Sequence, residues 1–222
     1  YSISRSYYCV GEFELAEIYI RKALEMEPDD LQFLQGLAHI QMITGKNEAF
    51  LKTVNNMLSI KHDNLGLMGQ GKAYLLLGDY ANSEKAYVQL FALSKEKYIF
   101  YEQEKSAYAQ VLRKLGKETE AMKAISEAKE IIEKMNNPNY DFAKVYSFLG
   151  EKQKALKYLS NWKPDWGVQV WVEKDPLFEN IRNEPEFKRL VQKFKSQIED
   201  LRKQAQVKIA NGEFPTREMV GK

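Results

Sequence analysis

The feature that most constrains this chain is a register of glycines. They stand at Gly11, Gly45, Gly78, Gly116 and Gly150, at spacings of 34, 33, 38 and 34 residues. Each separates two segments whose apolar residues recur at helical period. A glycine there supplies the left-handed residue that ends one helix and lets the chain double back. Repetition at roughly 20–50 residues marks a solenoid, in which each unit buries its apolar faces only against its neighbours.

The side chains around the glycines keep the same frame. Seven residues before them stand Ser4, Ala38, Gly71, Ala109 and Ala143; five after stand Ala16, Phe50, Ser83, Ala121 and Ala155. Small residues let two helix axes approach. Four before are Tyr7, Gln41, Tyr74, Leu112 and Tyr146, and nine after are Ile20, Val54, Tyr87, Ile125 and Leu159. These mostly bulky side chains fill the space between hairpins.

The string Gly11-Glu12-Phe13-Glu14-Leu15-Ala16, followed by Ala23-Leu24-Glu25-Met26-Glu27-Pro28-Asp29-Asp30, resembles the second half of a tetratricopeptide repeat. Gly78-Asp79-Tyr80 and Gly150-Glu151-Lys152-Gln153-Lys154-Ala155 repeat the turn. Phe50 and Met57 replace the usual alanines, and His62 stands where Pro28 did, without shifting the frame. The resemblance covers residues 1–162. It implies an all-α fold, a right-handed superhelix of about five antiparallel helical hairpins. The four extra residues before Gly116, about one helical turn, lengthen the helices around Ser94–Leu115 or the loop between them, and Asn136-Asn137-Pro138-Asn139 breaks the chain before the fifth unit.

Beyond Leu159 the pattern changes. Residues 163–184 read as a loop and a short helix: Asn161 to Gly167 has loop composition and Val168 to Val172 is apolar. Asp175-Pro176 then sets a helix start, with Leu177, Phe178 and Ile181 as its apolar side. From Phe187 an apolar seam runs through Leu190, Val191, Phe194, Ile198, Leu201 and Ala205, so residues 185–211 read as a long amphipathic helix capping the last hairpin. The alternative is a short coiled coil that makes a homodimer. Residues 212–222 read as a flexible tail. The stretch from Asp175 to Leu190 also resembles a tail that follows tetratricopeptide units in bacterial multidomain regulators. That resemblance, with a chain opening at Tyr1 inside the repeat pattern, implies a fragment of a signalling protein whose effector domain is missing.

Composition narrows the functions. Thirty-three Lys and Arg face 31 Asp and Glu, a net charge of +2, too small a field to point to nucleic acid or an anionic membrane. No stretch has the roughly eighteen consecutive apolar residues a membrane helix needs. The single cysteine, Cys9, suits a reducing, cytoplasmic setting. With only His39 and His62 beside it, no zinc-type ligand set can be assembled. The carboxylates fall at helical steps as solvated faces, and Gly66, Gly69 and Gly71 follow no strand that would make them a phosphate loop. We therefore expect no catalytic centre, no cofactor and no metal.

In tetratricopeptide proteins the first helix of each hairpin lines a concave groove. Six residues before the turn glycines stand Arg5, His39, Lys72, Gln110 and Lys144, a partly basic column; three before stand Tyr8, Met42, Leu75, Arg113 and Ser147. Such a groove suits an extended protein or peptide partner with acidic groups and apolar anchors. The basic column is expected to be exposed, so that reversing Lys72 and Lys144 acts on binding rather than folding. The carboxylate clamp of chaperone-binding members is disfavoured: His39 and Lys72 replace its asparagine, and Gln35 and Met68 stand where its lysine would.

Overall fold

The computed structural model of the protein describes residues 2–93, 104–136, 138–164 and 168–213. Among them lie eleven α-helices and no strand: α1 Ser2–Cys9, α2 Phe13–Met26, α3 Leu31–Thr44, α4 Asn47–Ile60, α5 Asn64–Leu77, α6 Tyr80–Leu93, α7 Lys105–Lys114, α8 Glu118–Ile132, α9 Asn139–Phe148, α10 Lys152–Asn161 and α11 Pro185–Ala210. Two short 3₁₀ turns, Val168–Trp171 and Pro176–Phe178, precede α11. The first ten helices pair as five successive hairpins. Of the stretch around Ser94–Leu115 expected to hold the four extra residues, 94–103 lie outside the described residues, as does most of the tail expected at 212–222.

Each hairpin closes in the same way. The five turn glycines hold φ between 76° and 80°. At each turn the residue after the glycine donates its N–H to the carbonyl four before the glycine, as in Glu12 to Tyr7 at 2.9 Å and Glu151 to Tyr146 at 2.9 Å. Asp30 and Asp63 cap α3 and α5, their carboxylates accepting from the N–H of Phe33 and of Gly66.

The small residues sit where helices cross. Ala16, Ala109, Ala121, Ala143 and Ala155 are fully buried. Where serine replaces alanine, its hydroxyl bonds across the hairpin: Ser4 Oγ donates to the carbonyl of Ala16 at 2.8 Å, and Ser83 Oγ to that of Gly71 at 2.7 Å. The column Ile20, Val54, Tyr87, Ile125 and Leu159 is buried to within 1%. Gly66, Gly69 and Gly71 are contact points of α5: a Cβ on each would come within 2.6 Å of Leu58, 2.7 Å of Val54 and 2.9 Å of Tyr87. Their missing side chains let α5 pack against both neighbours.

The C-terminal part does two things. Residues 168–181 form a strap along the inner face, the face made by the first helix of each hairpin. Val170 and Trp171 pack on the cluster around Tyr8, Ile40 and Met42. Lys174 Nζ donates to the Ile43 carbonyl at 3.2 Å, Leu177 joins the cluster of Leu75 and Ala107, and Asn180 Nδ2 donates to the Ser147 carbonyl at 2.8 Å. The helix start read at Asp175-Pro176 is a 3₁₀ turn, with the Asp175 carboxylate accepting from Leu177 N–H. Three residues are too few for an α-helix before the chain turns out at Asn183.

Helix α11 then covers the last hairpin. Phe187, Leu190, Val191 and Phe194 pack with Ala155, Leu156 and Leu159, the capping role read from the seam. It also returns to the first hairpin: Arg202 donates to the Gly11 carbonyl at 2.8 Å, and Ile209 packs near Tyr7. Both ends of the solenoid are tied through one helix.

These contacts set the expected response to two pairs of substitutions. Ala121→Leu must force bulk into a closed crossing and should cost about 1–3 kcal/mol, whereas the exposed Ala81→Leu should leave the melting temperature nearly unchanged. Equal melting temperatures for wild type and Ala121→Leu would refute the packing. Gly11→Ala and Gly150→Ala share the left-handed strain, about 1–2 kcal/mol. Only at Gly11 does a Cβ also meet Ile198 of α11, at 2.8 Å, with nothing within 4 Å at Gly150. Urea denaturation should therefore show the larger loss for Gly11→Ala, and equal losses would mean that α11 does not dock there.

Candidate functional site

The inner face carries most of the sequence-selected residues, but the chain's own carboxylates neutralise much of it. Lys72 Nζ lies 2.8 Å from Glu104 Oε1, and Lys144 Nζ 2.6 Å from Asp141 Oδ1. Gln110 is buried and donates from Nε2 to Glu179 on the strap at 3.0 Å, and Lys114 reaches the same carboxylate at 2.7 Å. Along the C-terminal half of the column, acidic groups come from residues 175–179 of the same chain, a 3₁₀ turn rather than an extended segment.

Lys144 departs from the expectation of an exposed charge. Its side chain is only 15% exposed. Burial alone would lower its pKa, but the carboxylates of Asp141, Asp175 and Glu104 outweigh that and hold the ammonium above the usual lysine range. Asp175 is buried and anchors the strap. Tyr140 Oη donates to it at 2.7 Å and the Trp171 indole N–H at 3.2 Å, and burial beside this carboxylate raises the Tyr140 phenol. A cavity of about 190 Å³ remains between strap and helices, bordered by Met42, Lys72, Leu75, Lys144, Trp171 and Asp175.

Beside the strap, the part of the face between α3 and α5 is open. His39 Nε2 lies 3.2 Å from the hydroxyl of the buried Tyr8. Crowding by the surrounding helices, followed by the charge of Lys72, pulls the imidazole pKa down from its ordinary value. Much of the ring still meets water, which moderates the shift without reversing it. His39 is thus neutral at pH 7, not a member of a basic column.

Around His39 an apolar cleft of about 310 Å³ opens between α3 and α5, with α4 as its floor. Met42, Met57 and Met68 line it with Phe50 and Val54, and Gln35 and Lys72 stand at its edge. It exists because Ala38 and Gly69 present no bulk there. Of the sequence-selected residues, His39, Met42 and Lys72 meet at this cleft, while Leu75 and Lys144 border the strap cavity. Arg113 stacks on the Phe148 ring at 3.5 Å and donates to the Phe148 carbonyl and to Glu118, away from both spaces. Arg5 lies exposed on α1 beside Cys9, also outside them. Sequence reading named neither the cleft's Met57 nor the strap's Trp171 and Asp175 as site residues, since none keeps the offset of the column.

Among the described residues no cluster of His, Cys, Asp and Glu is placed to hold a metal, and no helix is long and apolar enough to cross a membrane.

This architecture defines a right-handed superhelical solenoid of tetratricopeptide type. Residues 1–30 match the family model described as tetratricopeptide repeat. A crystal structure of a thermophilic TPR protein in Thermus thermophilus aligns over 87% of this chain and 95% of that one, at 16% identity and a TM-score of 0.58. Two crystal structures of MamA align with TM-scores of 0.53: one at 17% identity over 70% of this chain and 90% of that one, the other at 16% over 78% and 90%. At these identities the likeness is one of fold. No curated protein matches the chain in sequence.

The neutralised column gives a result opposite to that expected of exposed charges. Lys144→Glu would gather a further carboxylate beside Asp141, Asp175 and Glu104, and should destabilise the protein by about 3 kcal/mol or more. Thermal denaturation of this variant at wild-type temperature would show that the strap is not held there.

Proposed function

We propose that the chain is a protein-interaction scaffold that seats a segment of a partner polypeptide in the open part of its inner face. The supporting observation is the cleft between α3 and α5. Methionine side chains are unbranched and polarisable, so a pocket walled by three of them adapts to varied apolar side chains. Gln35 and Lys72 at its edge supply hydrogen bonds to a backbone or an acidic neighbour. The strap occupies the rest of the face, so the seat is short: one apolar anchor and its flanking residues, not a peptide running the length of the solenoid. The resemblance of residues 175–190 to the tails of bacterial regulators favours an effector domain as the neighbour such a scaffold serves.

A second reading, self-association through α11, is favoured by Val207 and Leu201, which are 62% and 39% exposed on that helix. Light scattering separates the two, because a mass that stays monomeric across concentration removes it.

Gln35 is exposed, and Gln35→Trp should fill the cleft without disturbing the fold. Affinity capture from native extract with wild type and Gln35→Trp, at matched melting temperature, should show partners held by the first and lost by the second. Recovery of the same proteins in the same amounts would place the seat elsewhere.

A further inference from the structure

The C-terminal part of the chain carries a surplus of cations. Residues 152–222 hold 15 Lys and Arg against 10 Asp and Glu, a surplus of 5; since the whole chain carries +2, residues 1–151 carry −3. Within the basic part, Lys152, Lys154 and Lys195 are paired with Glu184, Glu151 and Glu173. Lys157, Lys163, Arg189 and Lys193 are exposed and meet no carboxylate among the described residues. Two of them, Lys163 and Lys193, line one groove of about 620 Å³ at the C-terminal end of the solenoid, between the end of α10 and α11, and Lys157 and Arg189 stand one helical turn before the lining residues Asn161 and Lys193.

The groove is built like a peptide seat. Arg189, Lys193 and Gln197 follow one another at four-residue steps on α11 and so share one side of that helix. Lys157 and Asn161 do the same on α10, with Lys163 just beyond. Lys163, Lys193, Asn161 and Gln197 all line the groove. Its floor is apolar: Trp162, held by its ring contact with Phe194 at 5.4 Å, and Leu201, still 39% exposed. Cations on both banks, side-chain amides between them and an aromatic floor match an extended chain. Carboxylates would pair with the banks, backbone groups with the amides, and one apolar side chain would cover Trp162 and Leu201.

We propose that this end groove binds an acidic polypeptide segment carrying a single large apolar residue, independently of the cleft between α3 and α5. A nucleic acid fits less well: Asp200 also lines the groove and opposes a continuous run of phosphates, and amide groups serve a peptide backbone better than a phosphodiester.

Fluorescence anisotropy of the whole chain tests this with three probes: a labelled peptide Gly-Asp-Glu-Asp-Leu-Glu-Asp-Gly, the same peptide with serine for leucine, and an oligothymidylate of about twelve nucleotides. The leucine peptide should bind, the serine peptide about fivefold or more weakly, and the oligonucleotide more weakly than the leucine peptide. Lys163→Glu with Lys193→Glu should weaken the leucine peptide about tenfold or more at an unchanged melting temperature, while Gln35→Trp leaves it unchanged. Equal affinity for the charge-reversed variant, equal affinity for the leucine and serine peptides, or tighter binding of the oligonucleotide would each overturn the proposal. Loss of binding in Gln35→Trp would assign the peptide to the inner-face cleft instead and overturn it as well.

Discussion

A pair of short amphipathic helices has more apolar surface than it can hide by itself, and the rest of this molecule is a response to that constraint. Within the stack, each hairpin is covered by the next, and small residues at the crossings bring the axes close enough for Ile20, Val54, Tyr87, Ile125 and Leu159 to be enclosed. At the C-terminal end no further hairpin follows, so α11 supplies the missing cover from Phe187 to Phe194. The strap answers the same need inside the curve. Val172, Phe178 and Ile181 have no exposed surface at all, which makes the strap part of the core rather than a loosely held lid.

This explains which parts of the architecture could be read in the sequence. The glycine turns and the alanine crossings depend on local geometry that recurs every hairpin, so one periodic frame reports all of them. The seam of α11 is local as well. What the strap does is not periodic: Glu179 lies 69 residues from Gln110, and Tyr140 lies 35 from Asp175. No spacing rule carries such pairs. The basic column was therefore legible as a set of positions on one face, while its neutralisation by Glu104, Asp175 and Glu179 was not; Asp141, three residues before Lys144 on the same helix, is a partner that helical spacing does carry. The reading of His39 as potentially basic failed for a related reason, since its charge state is set by the helices and the lysine around it. The methionine cleft was illegible because it is made by absence, at Ala38 and Gly69, and a missing side chain leaves no positive signal.

The two kinds of charged site differ in what they can do for recognition. A cation already paired in a protected setting, such as Lys144, has lost its water and gained its carboxylates, and a partner's acid could replace those only by undoing the fold around them. An exposed cation without a partner, such as Lys193, keeps its hydration and its charge and can attract an approaching acid over about a Debye length, roughly 8–10 Å at ordinary ionic strength. A buried network therefore specifies structure, and a solvated cluster steers association. Lys144 illustrates the first task, where strap and hairpins meet, and Lys193 the second, where α10 and α11 end the stack.

The near-neutral total conceals this separation, because it averages −3 over residues 1–151 against +5 over residues 152–222. A field is felt where charges are close together and unscreened, so Lys163 and Lys193 on the two banks of one groove, with Lys157 and Arg189 a helical turn away, matter more to a ligand than the sign of the whole. The same reasoning distinguishes the two open spaces. The cleft beside His39 has little charge of its own to offer, since the imidazole is neutral and Lys72 is shared with Glu104; affinity there must come from apolar contact with its methionines. The end groove has the opposite balance, with charge on both banks and only Trp162 and Leu201 as apolar floor. A partner that used both would present an apolar anchor to the first and an acidic stretch to the second, joined by a connection that passes outside the strap.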